Sequence, residues 1–273
     1  MMFRAPQYFG IIGAMFRRVL KRLKQHQFLF EELVKRDFKK KYKGTMLGIG
    51  WSLLSPLLTL LVMKVVFTQF FGRNAPHYTT YLFAGILVFG FFSESTKGGM
   101  TALVGNAGIF TKVNVPKYLF LLSKNVQTLL NFSLTLAIFF VFCVIDHIEF
   151  SWRFLLLVYP IVTLTLFNLG LGLILSALHV FFRDISYLWS VVTRLVMYGS
   201  AVFYKTDRFS PEMMTMFRCN PVYDHIAFIR KIVIDNAVPE LWEFGLLALF
   251  VVVAMAVGGF LYKRFNTEFL YHV

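Results

Sequence analysis

Charge is scarce in this sequence, and acidic charge scarcest. Asp and Glu number 14 in 273 residues, and charged residues of both signs make up 15%; a soluble domain carries about a quarter. On the side that orients inward below, Glu94, Asp184 and Glu268 are the acids beyond the N-terminal segment. An enzyme acting on a lipid-linked sugar needs a carboxylate cluster to hold Mg²⁺ and phosphate, and none forms here. There is no GxxxxGK[ST] loop, which excludes nucleotide hydrolysis by a P-loop. HExxH, paired CxxC and EF-hand patterns are also missing, so no metal site and no catalytic residue is expected. The histidines (His26, His77, His147, His179, His225, His272) are scattered and read as surface or interface residues. Two cysteines build no disulfide framework: Cys143 reads as lipid-buried and Cys219 as an inert outer thiol.

Apolar sequence is abundant instead. Hydrophobic residues make up 58% of the chain and the mean hydropathy is +0.65. Crossing a bilayer core of about 30 Å takes about 20 apolar residues. Six stretches are candidates: 46–71, 78–101, 118–145, 154–182, 185–204 and 242–262. The second is the weakest, apolar only over Leu82 to Phe92. The sixth has Trp242 and Tyr262 as aromatic anchors, about 30 Å apart at helical rise. An all-α integral membrane protein with six transmembrane helices is the expected fold class.

Most of the 28 Lys and Arg fall in segments that become cytoplasmic if the N-terminus is inside. That asymmetry places both termini in the cytoplasm and explains the net charge of +14 without a nucleic-acid partner. No secretory signal is expected, because the apolar piece at Tyr8 to Phe16 precedes its cations. Residues 1–45 read as an N-terminal amphipathic segment: Phe16, Val19, Leu20, Leu23, Phe30, Leu33 and Val34 recur at helical spacing, with cations between them. Residues 46–273 form the membrane domain. Within it, 97–117 is a Gly-punctuated inner link with room for a short helix at Met100 to Ile109. Residues 205–241 are an outer segment of two semi-apolar pieces, each too short to cross.

Charged residues inside spans are candidates for function. Lys64 and Lys124 lie near span ends and can snorkel. Glu94 and Lys97, at i and i+3, can pair. Arg194 lies about 13 Å into the fifth stretch. It either lines a wet path with Tyr187, Tyr198 and Tyr204 or contacts a polar group on another helix.

Several short patterns carry a family resemblance. "RDFKKKYKGTMLGIGWSLLSPLL" (36–58) leads a basic run into the first stretch, with Thr45 where Ser is common and Lys41-Tyr42 for Arg-Tyr. "KVNVPK" (112–117) follows the inner link, with Val115 in place of an aromatic. "FFRDI" (181–185) follows the fourth stretch, and "NPVYDHIAFIRKIVI" (220–234) lies in the outer segment. Together they resemble the membrane permease subunit of ABC-2-type polysaccharide exporters, which move O antigen, capsular polysaccharide or teichoic acid. The resemblance implies a plasma-membrane homodimer with two separate ATPase subunits that bind ATP and Mg²⁺, no cofactor in this chain, and a lipid-diphosphate-linked glycan as cargo. It makes the two outer pieces re-entrant helices.

The resemblance also suggests site roles. Arg36, Lys43, Gly48 and Trp51 stand at the cargo entry, where cations suit a diphosphate and Gly44, Gly48 and Gly50 let backbone approach. An electrostatic anchor on anionic lipid remains the other reading of the basic run. Tyr187, Arg194, Tyr198 and Tyr204 line the channel. Met100, Leu103, Ile109, Lys112, Arg183 and Asp184 couple to the ATPase. The competing readings are an ABC-2 permease for a drug or small lipid, a membrane-embedded glycolipid-processing enzyme, and a secondary transporter. The last lacks repeat halves and mid-depth ion ligands.

Overall fold

A computed structural model describes residues 24–46, 48, 50–71, 76–113, 115–206 and 209–272. The expected helical pattern at 16–23 lies outside them. The described residues are helical, without strands: α1 Gln27–Tyr42, α2 Gly50–Phe71, α3 Tyr78–Thr101, α4 Ala107–Phe110, α5 Tyr118–Ile145, α6 Val158–Phe181, α7 Ile185–Gly199, α8 Pro211–Arg218, α9 Pro221–Val233 and α10 Leu241–Phe265. Short 3₁₀ turns occupy Val104–Asn106, Trp152–Leu157 and Glu268–Leu270.

Among the described residues, three helices are long and apolar enough to cross a bilayer: Tyr118–Ile145, Trp152–Phe181 and Leu241–Phe265. Gly50–Val66 is a shorter apolar helix. The low hydropathy of α3 has a packing cause. It runs between α5 and α6 and also touches α2 and α9. Leu82, Phe83, Leu87, Val88, Phe91 and Phe92 fill one core, but Thr80, Ser95 and Thr96 are buried on it too. A helix wrapped by protein has no need to resemble lipid.

The bundle crosses closely where α6 meets α10. A Cβ on Gly258 would sit 2.8 Å from both Gly170 O and Leu173 Cβ, so the two backbones approach through small residues, as membrane helices often do.

The fifth stretch differs from the sequence expectation. α7 stops at Gly199, and its 15 residues span about 22 Å. The chain then turns through Ala201 at φ +48°, and Ala201, Val202 and Phe203 are buried outside any helix. Their carbonyls need donors that a helix would have supplied. Arg230, on α9 and itself 7% exposed, supplies them. Its guanidinium donates to Ala201 O and Val202 O, each at 2.9 Å, and to Tyr81 O at 3.0 and 3.2 Å. It lies over the Tyr81 ring, 3.4 Å from the centroid.

Local chemistry explains how α8 and α9 start. Ser210 and Asn220 cap them, each followed by a proline at the first helical position. Asn220 also donates to Gly199 O at 3.0 Å, stitching the end of α7 to the start of α9. α10 begins with a reciprocal capping box between Glu240 and Glu243. The reading of every histidine as a surface or interface residue fails at His225. It is fully buried, within 3.1 Å of Thr163 Oγ1 and 2.7 Å of Pro221 O. His179 is buried as well.

Replacing Arg230 by Met keeps the apolar stem and removes the donors. The orphaned carbonyls are expected to cost about 3 kcal/mol or more, at roughly 1.5–3 kcal/mol per hydrogen bond to a charged group. A thermal melt of the detergent-purified protein reads this as a large drop in midpoint. Arg230→Lys, which cannot reach all three carbonyls at once, should fall between.

Candidate functional site

The basic run forms the C-terminal half of α1, with Lys39, Lys40 and Lys41 in its last turn, where cations complement the helix dipole. One acid interrupts it. Asp37 is 4% exposed and turned inward. Its carboxylate accepts from Arg36 Nη2 at 2.8 Å and pairs with Lys124 Nζ at 3.1 Å. Lys124 was expected to snorkel; instead it is held at the base of α5 by this ion pair. Arg36 reaches further. The same Nη2 donates to Asn106 Oδ1 at 2.7 Å, in the 3₁₀ turn after α3. Asn106 is itself fixed, donating from Nδ2 to Ala102 O at 2.7 Å. Asp37, Arg36, Asn106 and Lys124 thus bolt α1 to the turn after α3 and to α5.

A second core lies beneath this junction. Leu33 of α1 packs with Leu103, Phe110, Leu119, Phe120 and Phe269. Lys117, the last residue of "KVNVPK", sits at its edge. Its ammonium lies over the Phe110 and Phe269 rings and donates to Asn266 O, tying the turn to the C-terminal segment. Burial pushes the Lys117 pKa down. Val115, where an aromatic was noted as usual, is 7% exposed in the same core.

Beside the junction runs a second polar chain. Lys41 Nζ donates to Glu94 Oε1 at 2.6 Å, Asn131 Nδ2 donates to that oxygen at 3.2 Å, and Tyr42 Oη donates to Asn131 Oδ1 at 2.8 Å. The expected Glu94–Lys97 pair gives way to this longer-range contact, because α1 carries Lys41 across to α3.

The structure divides the entry residues. Arg36, Lys43 and Gly48 line one open cleft beside α1. Trp51 lines a separate cavity between α2, α3 and α5. Gly44 (φ +79°) and Gly48 (φ +53°) adopt left-handed backbone with open space beyond, so they serve the turn into α2 and not a close approach.

The coupling residues divide too. Met100 and Leu103 are buried in the chain's own interior. Ile109 is half-buried, and Lys112 is exposed beside an exposed Val113. Arg183 and Asp184 are exposed in the turn between α6 and α7. Phe181, two residues before Arg183, packs on Phe265, Phe269 and His272, so this turn lies at the same end of the bundle as the junction.

On α7, Tyr187, Arg194 and Tyr198 are all exposed along one helical face, and no residue of the helix is buried. Tyr204 is half-buried and donates to Tyr198 O. The inner side of α7 is anchored by Trp189, which donates to Thr96 Oγ1 at 3.3 Å. Helical spacing, apolar runs and cation asymmetry did not reveal Asp37, Asn106 or Arg230 as organising residues. The available signal for Asp37 was its position as the one acid within the 36–43 run.

A family model described as ABC-2 type transporter matches residues 29–234, from α1 to the end of α9. The chain belongs to the ABC-2 type transporter family. It is 29% identical over 256 residues to the O-antigen export system permease protein RfbA of Myxococcus xanthus, covering 92% of this chain and 98% of that one. It is 26% identical over 216 residues to the protein of the same name from Klebsiella pneumoniae, covering 77% and 82%. With the polysialic acid transport protein KpsM of Escherichia coli it shares 21% over 240 residues, covering 85% and 92%. These relatives are permease and transport proteins; accordingly the chain is a transport protein and not an enzyme. Among the described residues, no group of three or more His, Cys, Asp or Glu is placed to hold a metal ion.

The ion pair at the junction can be tested by a double-mutant cycle. Asp37→Leu leaves Lys124 without its carboxylate. Lys124 keeps 24% of its side chain exposed, so the expected cost is about 2 kcal/mol, below the 3–5 kcal/mol of a fully buried pair. Lys124→Met added to Asp37→Leu should recover much of the loss in thermal melts; strictly additive losses would mean that the pair does not act as a unit.

Proposed function

We propose that this chain is the membrane permease of an exporter for a lipid-diphosphate-linked polysaccharide. It crosses the plasma membrane six times with both termini in the cytoplasm, the fifth crossing completed by the non-helical stretch from Ser200 to Tyr204, and α8 and α9 re-enter the outer leaflet. Two copies form the pathway, and two separate ATPase subunits bind ATP and Mg²⁺. The names of the relatives from three bacteria support polysaccharide as the cargo. The bare face of α7, with Tyr187, Arg194 and Tyr198, suits a passage shared with a second copy, since aromatic rings stack on sugars while Arg reaches hydroxyls or charged groups.

The observation that carries the mechanism is the Arg36–Asn106 contact at 2.7 Å. The turn after α3 is the proposed docking point of the ATPase, and its exposed end at Ile109, Lys112 and Val113 offers the surface. α1 bears the cations proposed to meet the diphosphate. A turn displaced by the ATPase therefore moves the cationic helix with it, through Asn106, Arg36 and the shared core at Leu33 and Leu103. Arg36 and Lys43 lie around the same open cleft, and of its cations Arg36 is the one that also bonds the turn after α3.

Three variants separate the roles in cells that depend on this exporter. Arg36→Gln and Asn106→Ala should each reduce export at least several-fold while insertion and ATPase association stay normal. The double substitution Lys39→Gln with Lys40→Gln should have a much smaller effect. Equal losses in proportion to charge removed, with Asn106→Ala silent, would reduce the run to an electrostatic anchor. The purified chain alone should hydrolyse no ATP, since it has no P-loop; robust hydrolysis free of contaminants would overturn the proposal.

A further inference from the structure

Between α2, α3 and α5 lies a cavity of about 460 Å³, within the range of roughly 300–1,000 Å³ common for small-molecule sites. It is distinct from the cleft that holds Arg36 and Lys43. Two polar stripes line it. Ser52, Ser55 and Thr59 stand at i, i+3 and i+7 on α2; Thr128, Asn131 and Thr135 stand at the same spacing on α5. Both stripes turn polar faces toward one space, though α2 and α5 are apolar helices whose other faces meet lipid or core. Hydroxyls at bilayer depth have no water to satisfy them unless protein or ligand supplies partners.

The donor inventory narrows the ligand. Thr59, Thr128 and Thr135 each donate their hydroxyl hydrogen back to their own helix, to Ser55 O at 2.9 Å, Lys124 O at 2.9 Å and Asn131 O at 3.2 Å. What these side chains present to the cavity is therefore oxygen lone pairs. Lys41 and Glu94 also line the cavity, and both Lys41 and Asn131 bond the same carboxylate oxygen, Oε1. Among the described residues no hydrogen bond is made to the other oxygen, Oε2. The cavity thus offers an acceptor-rich wall with one cation and one anion side by side, above apolar surface from Pro56, Leu87 and Phe132. A fitting ligand brings N–H donors, carries both charges and has an apolar tail.

We propose that this cavity binds the headgroup of a phospholipid bearing a primary ammonium, phosphatidylethanolamine, with its phosphate toward Lys41 and its ammonium toward Glu94 and the threonine oxygens. A bound lipid would fill the space between α2 and the α3–α5 pair, and so steady the helix that follows the basic run. The inference requires only that the chain resides in a bilayer, and it is independent of the cargo.

Phosphatidylcholine makes the decisive comparison, because its ammonium has the same charge and no N–H donor. The full-length chain, purified in detergent, is titrated with phosphatidylethanolamine, phosphatidylcholine and phosphatidylglycerol, and bound lipid is counted by native mass spectrometry. One phosphatidylethanolamine per chain is expected to bind at least about tenfold tighter than either other lipid, a difference of 1.4 kcal/mol. Glu94→Gln and, separately, Thr59→Val with Thr135→Val should each abolish that preference. The threonine pair removes acceptors without touching the Lys41–Glu94 pair, so its melting midpoint should stay near wild type. Equal binding of the three lipids, or an unchanged preference in both variants, would show only annular lipid and overturn the site. Displacement of the lipid by a soluble oligosaccharide would assign the cavity to glycan instead. Because no ATPase or cargo is present, failure here leaves the export proposal standing.

Discussion

A polar group buried inside a protein that loses its partner has no water to replace it, and the contacts of Asp37 and Arg230 follow from that constraint. Asp37 is an acid placed inside a run of cations and turned inward. Its carboxylate meets Lys124 and Arg36 together. With the acid there, Lys124 can remain at the base of α5 and Arg36 can extend across to Asn106. The apolar contacts of Leu33, Leu103 and Phe269 then close around the junction. Removing the acid would leave two cations facing the same small region, with α1 repelled from the bundle it now caps.

Arg230 applies the same constraint at the other end of the chain. α7 is too short to cross on its own, and the backbone after Gly199 exposes carbonyls that no helix satisfies. An arginine can meet several carbonyls at once through its planar fork, and here it also stacks on Tyr81. α7 is thereby held to α3 and α9 at its end and by Trp189 near its start, while Tyr187, Arg194 and Tyr198 stay uncovered along its outer face.

Much of the architecture was legible from periodicity and runs. The amphipathic pattern predicts a helix before the first apolar stretch, and α1 is found there from Gln27; the long runs at 118–145 and 242–262 correspond to α5 and α10. The two semi-apolar pieces read in 205–241 correspond to α8 and α9, and the structure starts each with a capping residue and a proline. The basic run drew attention to Arg36, and its family likeness was carried by short motifs in order along the chain. The pairing of Glu94 with Lys97 was misread because sequence spacing sees only neighbours on one helix. Lys41, 53 residues away, is the nearer partner in space. Met100 and Leu103, assigned to coupling through the family resemblance, are covered by the fold, because a short link in sequence does not show which of its apolar residues the bundle will pack over.

Composition and order alone determined that this chain is helical and membrane-embedded. Those properties depend on residue types and their periods, which folding does not alter. Tertiary structure decided which charges are paired, which aromatics are bare and which hydroxyls share a cavity. Asp37 reaches Lys124, and Arg230 reaches Ala201, only after separate helices come together. Such contacts depend on distances between segments remote in sequence, and no local pattern encodes those distances.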